Sequence, residues 1–317
     1  MAERAWSSMV EIDGALYSGS GTTVRQAVAY SALTGQAVHI VNARARRPKA
    51  GLRPQHVRVV DAISRLVNGT VEGLHEGSRD LVFRPGTGQA SHEERRFCWD
   101  IGSAGSTTML ALAVIPVLAF RSVPASVEIR GGLFQDFAPS VFHLQQVLLP
   151  LLRRMGLEVD VEMGRPGYVP RGEGRLCLAV RPVRRALQPL VQTERGAVER
   201  LWGIALASHL KERRVSQRMA ESAAEVFAAA GYRAEIAAQD DTSAPQPGAA
   251  LAAFADCTGG VRLGADRAGA PGRRAESIGR YVARQLLDEL KTGATLDRFA
   301  ADQILPFAAL ASGESRF

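Results

Sequence analysis

The chain has 317 residues, 46% of them hydrophobic and 22% charged, enough for one large domain or two ordinary ones around a sizeable core. No run of 18 apolar residues occurs, which excludes a membrane-spanning helix, and Met1–Met9 lacks the basic-then-apolar order of a secretory leader, so none is expected. The three cysteines, Cys98, Cys177 and Cys257, are far apart and in no CxxC pair, which excludes a disulfide framework or zinc site and suits a reducing cytoplasm, while a net charge of +7 carried almost wholly by arginine suits a polyanionic partner.

In chain order, the β-branched run at Met9–Gly14 predicts a strand, a glycine-rich turn follows at Tyr17–Gly21, and Thr22–Gly35 reads as a helix. Asp13, at the strand's end, is a candidate for Mg²⁺ or a ribose hydroxyl, with a structural cap as the plainer role. Next comes the densest basic run: Arg44, Arg46, Arg47, Lys49 and Arg53. It leads into a helix expected over Arg53–Asn68, where Val57, Val60, Ile63 and Leu66 recur every three residues and Pro54 suits the first turn. A helix N-terminus offers free N–H groups and a positive dipole, and arginines just before it grip phosphate oxygens two at a time. Gln55 and His56, at the helix start, can point into the same anion site. A solvated basic loop is the plainer alternative.

The plan repeats. Phe97–Ile101 is a predicted strand, Gly102–Ser106 (GSAGS) a turn and Thr107–Phe120 an apolar helix. Small residues in that turn, Ser103 and Gly105 among them, would let backbone N–H groups approach an anion. The turn lacks the lysine of a P-loop, so an ordinary nucleoside triphosphatase is not supported. A third strand, Ala125–Ile129, leads through Gly131-Gly132 to a helix over Val141–Gly156. Strand, glycine turn and helix, three times over, predict an α/β domain of repeated units. Cys98 and Cys177, in apolar runs, read as small core residues. Farther on come a helix over His209–Ala230, polar loops at Gln239–Gly248 and Gly264–Arg274, a helix over Ala275–Leu290, and Asp302-Gln303 opening the apolar run ILPFAALA. The span 187–274 reads as a small unit inserted into a large domain of 1–186 plus 275–317. No HExxH, GxSxG or CxxC occurs, so zinc hydrolase and serine esterase chemistry have no support.

Taken in order, EIDG (11–14), Gly21 with Arg25, RARRPKAGLRPQH (44–56), IGSAGS (101–106), Gly131-Gly132 with Ala138-Pro139, GYVPRGEG (167–174), ERG (194–196), AESIG (275–279) and ADQILPFAALASGES (301–315) make the chain resemble the RNA 3′-terminal phosphate cyclases along nearly its whole length. The resemblance implies three repeated units, each a β-sheet with two helices like the C-terminal domain of translation initiation factor three, and a smaller inserted α/β domain. It also implies a reaction. With ATP and Mg²⁺ an enzyme histidine is adenylated, AMP passes to the 3′-phosphate of RNA, and the vicinal 2′-hydroxyl attacks to leave a 2′,3′-cyclic phosphate. Arg25, Arg44, Arg47, Gln55 and His56 match the phosphate-handling residues. Asp302 and Gln303 match the adenosine-side segment and, with Asp13, Ser103 and Gly105, make up the expected nucleotide side. Cytoplasmic location and an RNA partner with a 3′-phosphate are implied as well.

The chain also departs from the family's pattern. Tyr17-Ser18 stands where the family has Gly-Glu, Thr22 and Leu112 stand where it has Gln, and Leu133–Phe137 replaces a more polar loop. The nucleophilic histidine is expected just past the SGES segment, where this chain stops at Phe317, and none of His39, His56, His75, His92, His143 or His209 matches it. Two readings of the departures follow: a cut chain, or a cyclase-like RNA-binding protein of RNA processing or ribosome assembly. A small-molecule enzyme on a similar repeated fold is a third class, and no residue pattern prefers it.

Overall fold

A computed structural model describes residues 9–86 and 95–317. His92 lies outside the described residues. The first unit runs β1 (Val10–Asp13), α1 (Gly21–Thr34), β2 (Val38–Val41), α2 (Pro54–Leu66), β3 (Thr70–Glu72) and β4 (Leu81–Arg84). Its sheet has the order β1-β2-β4-β3, with β1 and β2 parallel and β4 antiparallel to both its neighbours. The second unit repeats it: β5 (Arg96–Asp100), α3 (Thr107–Ala119), β6 (Ala125–Gly131), a helix made of α4 (Val141–His143), a π turn (Leu144–Leu148) and α5 (Leu149–Arg154), then β7 (Val159–Arg165) and β8 (Gly174–Val180), in the order β5-β6-β8-β7. The second and third strand–turn–helix segments of the sequence are therefore two halves of one unit.

A third copy of the opening step is present in outline. Leu187 bridges Ala311 and Val191 bridges Arg316, both parallel, with α8 (Arg298–Ala309) leading into the second partner. This is the β1-α1-β2 and β5-α3-β6 step again, opened between its first strand and its helix by a third sheet. That sheet is β9 (Val198–Ser208), β10 (Ala234–Asp241), β11 (Gly248–Cys257) and β12 (Arg262–Ala268), in the order β10-β9-β11-β12, with α6 (Val215–Ala229) between its first two strands. The strand alternation sorts its residues between two cores. Leu206, Ala250, Ala252 and Phe254 face the main core, while Leu201, Ala205, Ala207, Leu251 and Ala253 face α6 and α7 (Ala275–Thr292).

The sequence boundary at 274 is thereby corrected. Ile278, Val282, Ala283, Leu286 and Leu290 of α7 bury themselves on the third sheet, so this helix belongs with the insert. Leu187 and Leu190, expected in the insert, join the main core. The expected loop 264–274 is also shorter, since β12 runs to Ala268 as an antiparallel partner of β11. Gly264 there lies so close to His143 and Val147 that a Cβ would meet them at about 3 Å, a reason for glycine inside a strand. Cys98 is exposed and Cys177 half-buried on the open face of the second sheet, and only Cys257 is a core residue.

All residues of α3 are buried, as expected of a helix apolar all round. It packs against α1 and α2. An apolar groove, lined by Leu33, Leu112, Pro116, Phe307 and Leu310, runs between α1, α3 and α8. Leu112, placed where the family has Gln, contributes its side chain to this groove.

Candidate active site

The β1–α1 and β5–α3 steps each end the strand in a turn and start the helix on a capped residue. Ser20 accepts from Thr22 N and Ser106 accepts from Met109 N. The starts of α1, α2 and α3 thus meet at one place, with α8 alongside. They enclose a cavity of about 440 Å³, lined by Arg25, Arg44, Arg47, Gln55, His56, Asp302 and Gln303, among others. All five phosphate-handling candidates and two of the five nucleotide-side candidates are therefore brought together, from positions up to nearly the whole chain apart.

Arg25 is 7% exposed, and burial lowers its pKa to about 10, partly offset by Asp302 and reinforced by Arg44. It stays charged at neutral pH. Its Nη2 donates to Thr22 Oγ1 at 2.8 Å. Thr22, a departure from the family's Gln, therefore orients the guanidinium. The Arg44 pKa is lowered by burial and then by Arg47 and Arg53. Arg44 holds its own loop, with Nη1 donating to Lys49 O at 2.9 Å and Gly51 O at 2.5 Å. Arg47 Nε reaches Gly19 O at 3.4 Å. Arg53 is drawn off the cavity to Glu76, 2.7 Å away. Asp302 is the cavity's only carboxylate among the described residues. A buried guanidinium without a close carboxylate is costly unless an anion completes it.

His56 is 2% exposed. Its pKa is lowered to about 3 by burial first, then by Arg25, Arg44 and Arg53, so the ring is neutral across physiological pH. The Arg53 backbone N–H donates to Nδ1 at 3.0 Å. That fixes the tautomer: the neutral ring carries its proton on Nε2. Nε2 faces Gly21, where an added Cβ would overlap the imidazole. His56 is thus set as a hydrogen-bond donor, with no free lone pair for nucleophilic attack. Among the described residues no other histidine lines the cavity.

Three of the five N–H groups of the GSAGS turn, those of Gly102, Gly105 and Ser106, are already engaged. Gly102 N–H donates to Asp100, Gly105 N–H to Ser103 Oγ, Ser106 N–H to Gln55 Oε1 at 3.1 Å and Thr107 N–H to Gly132 O. Gly105 is there for closeness, since a Cβ would sit 2.9 Å from Gln55 Cβ. Gly105 thus packs against Gln55, and neither it nor Ser103 lines the cavity, while Ser106 does. Asp13 does not line it either. Its Oδ1 accepts from Ala15 N at 2.9 Å and Asn42 Nδ2 at 3.2 Å, the structural role. Asp302 and Gln303 sit in the middle of α8, and the residue that opens this helix is Asp297, which accepts from Phe299 N and Ala300 N.

The loop after β6 was missed as a site element. Gln135, Phe137, Ala138 and Pro139 line the cavity beside Phe299 of α8. Phe137 is 99% exposed, an aromatic face at the mouth. The signal was in the sequence: this loop follows β6 as the basic loop follows β2, so the internal repeat places both at one site.

A sequence model of the RNA 3′-terminal phosphate cyclases matches residues 16–317. The chain belongs to the RNA 3′-terminal phosphate cyclase family. The cyclase of Hyperthermus butylicus is 39% identical over 313 residues, covering 97% of this chain and 86% of the relative. The Methanopyrus kandleri cyclase is 38% identical over 315 residues, 98% of this chain and 88% of its own length. The Staphylothermus marinus cyclase is 36% identical over 312 residues, 97% and 86%. The family's name fits the excess of arginines over carboxylates in the cavity's lining. No helix among the described residues is long and apolar enough to cross a membrane.

Proposed function

We propose that this protein acts on RNA carrying a 3′-phosphate and converts it to a 2′,3′-cyclic phosphate at the expense of ATP. The observation that carries the reading is the cavity's charge: Arg25, Arg44 and Arg47 against the single carboxylate of Asp302, with the Nε2–H of neutral His56 beside them. A terminal phosphate monoester is doubly charged and has no leaving group, since an oxygen would have to depart as oxide. ATP supplies the adenylyl group that makes one oxygen a good leaving group. The chain's own residues bind and orient. Arg25, Arg44 and Arg47 neutralise the crowded phosphates and lower the barrier as charge shifts between them. His56 donates one fixed hydrogen bond. Phe137, Pro139 and Phe299 give the mouth apolar faces that suit a base.

Mg²⁺ fits this site only in company with phosphates. Among the described residues no group of three or more His, Cys, Asp or Glu side chains could hold a metal ion. Asp302 alone could contribute a carboxylate, and nucleotide phosphates and waters would supply the other oxygens that a hard cation needs.

The test is direct. RNA labelled at its 3′-phosphate is incubated with the protein, ATP and Mg²⁺, then with phosphatase. Retention of the label as an acid-sensitive cyclic ester is the expected result. Full release of the label, with RNA binding intact, overturns the catalytic reading and leaves the cyclase-like RNA-binding one.

A further inference from the structure

A second basic cavity, of about 460 Å³, lies between the second unit and the insert. Arg213, Arg218, Arg273 and Arg274 all line it, together with the start of α6 at Val215 and of α7 at Ala275. Two of these cations are spoken for. Arg218 pairs with Glu276 in a two-pronged contact, at 2.7 and 3.0 Å, and Arg273 grips Asp136 at 2.8 and 2.7 Å. Arg213 and Arg274 form no ion pair with any carboxylate of the described residues. They flank the residue positions preceding α6 and α7, and neither helix has a side-chain cap. The cavity therefore holds uncompensated positive charge where helix dipoles add to it.

Its position matters as much as its charge. In the loop after β6, Gln135 and Phe137 line the first cavity. Asp136, between them, is held by Arg267 and Arg273, and Arg273 lines the second cavity. One short loop thus separates the two sites, and the insert is tied to it by ion pairs.

We propose that this second cavity binds an internal phosphodiester of the RNA strand, upstream of the 3′-phosphate held in the first cavity. The inference rests on the reading that RNA 3′ ends occupy the first cavity. A strand entering over Phe137 crosses the loop and meets Arg213 and Arg274, so the insert measures whether a chain, rather than a mononucleotide, carries the phosphate. Affinity then grows with RNA length through contacts the first cavity does not make.

The experiment compares binding of a 3′-phosphorylated RNA dodecamer and dinucleotide, by fluorescence anisotropy across a salt series. The full chain is used, unaltered and as the double variant Arg213→Ala/Arg274→Ala. Both arginines are exposed, and a melting curve checks the fold. The variant should bind the dodecamer about tenfold more weakly, with a salt slope lower by about 1–2, and the dinucleotide unchanged. A dodecamer with neutral methylphosphonate linkages upstream of its end should lose the same affinity on the unaltered chain. An unchanged dodecamer affinity in the variant, or equal losses for both lengths, overturns the proposal. So does a loss in the variant that neutral linkages fail to reproduce, which assigns the cavity to another anion. A dinucleotide bound equally with 3′-phosphate and 3′-hydroxyl sinks the first-cavity reading instead, whatever the length dependence shows.

Discussion

At the scale of single residues, Arg25 and His56 divide the work that the basic run suggested for arginines in general. Burial leaves Arg25 charged, with Thr22 as its one hydrogen-bond partner among the described residues, and the proposed function gives its guanidinium a phosphate to hold. Arg25→Met should therefore weaken binding of a 3′-phosphorylated nucleotide roughly 10- to 100-fold, a loss of about 1.5–3 kcal/mol for hydrogen bonds to a charged group. It should leave the melting temperature level or raised, because an uncompensated buried charge is removed. Calorimetric titration and melting measure both, and a stability loss with unchanged affinity would contradict the assignment. His56 makes a prediction in pH. Its folded pKa of about 3 lies below the ordinary 6.5, so the unfolded chain takes up the proton first. This group's contribution to stability is complete above about pH 6.5 and is lost as pH falls toward 3. His56→Gln should flatten the stability curve over that window, as read by denaturant midpoints. A variant that keeps the slope would show that other groups set it.

At the scale of elements, the site is made by three helix starts brought into contact, and glycines are what let them touch. Gly21 opens α1 directly against the His56 ring. Gly21→Ala must push α1 and α2 apart, at a cost of about 1–3 kcal/mol of overpacking. Because Thr22 and Arg25 ride on α1, phosphate affinity should fall with it, whereas Gly35→Ala, at the helix's other end, should leave affinity alone. Equal affinities for the two variants would disprove the coupling. The local plan was legible in the sequence: hydrophobic period, Pro54 and glycine turns placed α1, α2, α3 and α7 within a few residues of their bounds. The roles inside the turns were not. GSAGS has the composition of an anion nest, but the N–H groups of Gly102 and Gly105 are spent on Asp100 and Ser103 two residues away, and that of Ser106 on Gln55, an acceptor that only the third dimension supplies.

At the scale of the whole molecule, one buried cluster joins the second unit, the insert and α8. His143 Nε2 lies 3.1 Å from both oxygens of Asp297, which also caps α8 and accepts from Gly264 N of β12. Burial pulls the His143 pKa down, but Asp297 outweighs it and the value stands above 6.5. Burial pushes Asp297 up, but His143 outweighs it and the value stands below 3.8. The histidine's contribution is full below about pH 6.5 and fades as pH rises through its raised value. The aspartate's is full above about 3.8 and fades as pH falls. His143→Gln should therefore cost most between those limits, about 3–5 kcal/mol for breaking a buried pair, and less in alkali. Thermal melts at about pH 5 and about pH 9 measure the difference, and an equal cost at both would refute the pairing.

The sequence alone determined the α/β class, the repeated strand–turn–helix plan, the family and the arginines that line the cavity. Each of these depends on short-range periodicity or on motifs read in order, so a linear chain displays them. The tertiary structure alone decided which repeat owns which helix, that α7 covers the insert, that Ser103, Gly105 and Asp13 stay off the cavity's lining, and that His56 is a locked donor. Those outcomes turn on which partner fills each hydrogen bond and which face each strand buries. Some partners are local, Arg53 N for His56 and Ala15 N for Asp13, but Gln55 against Ser106 and α7 against the third sheet meet across tens of residues, and contact at that distance is a property of packing that no local pattern encodes.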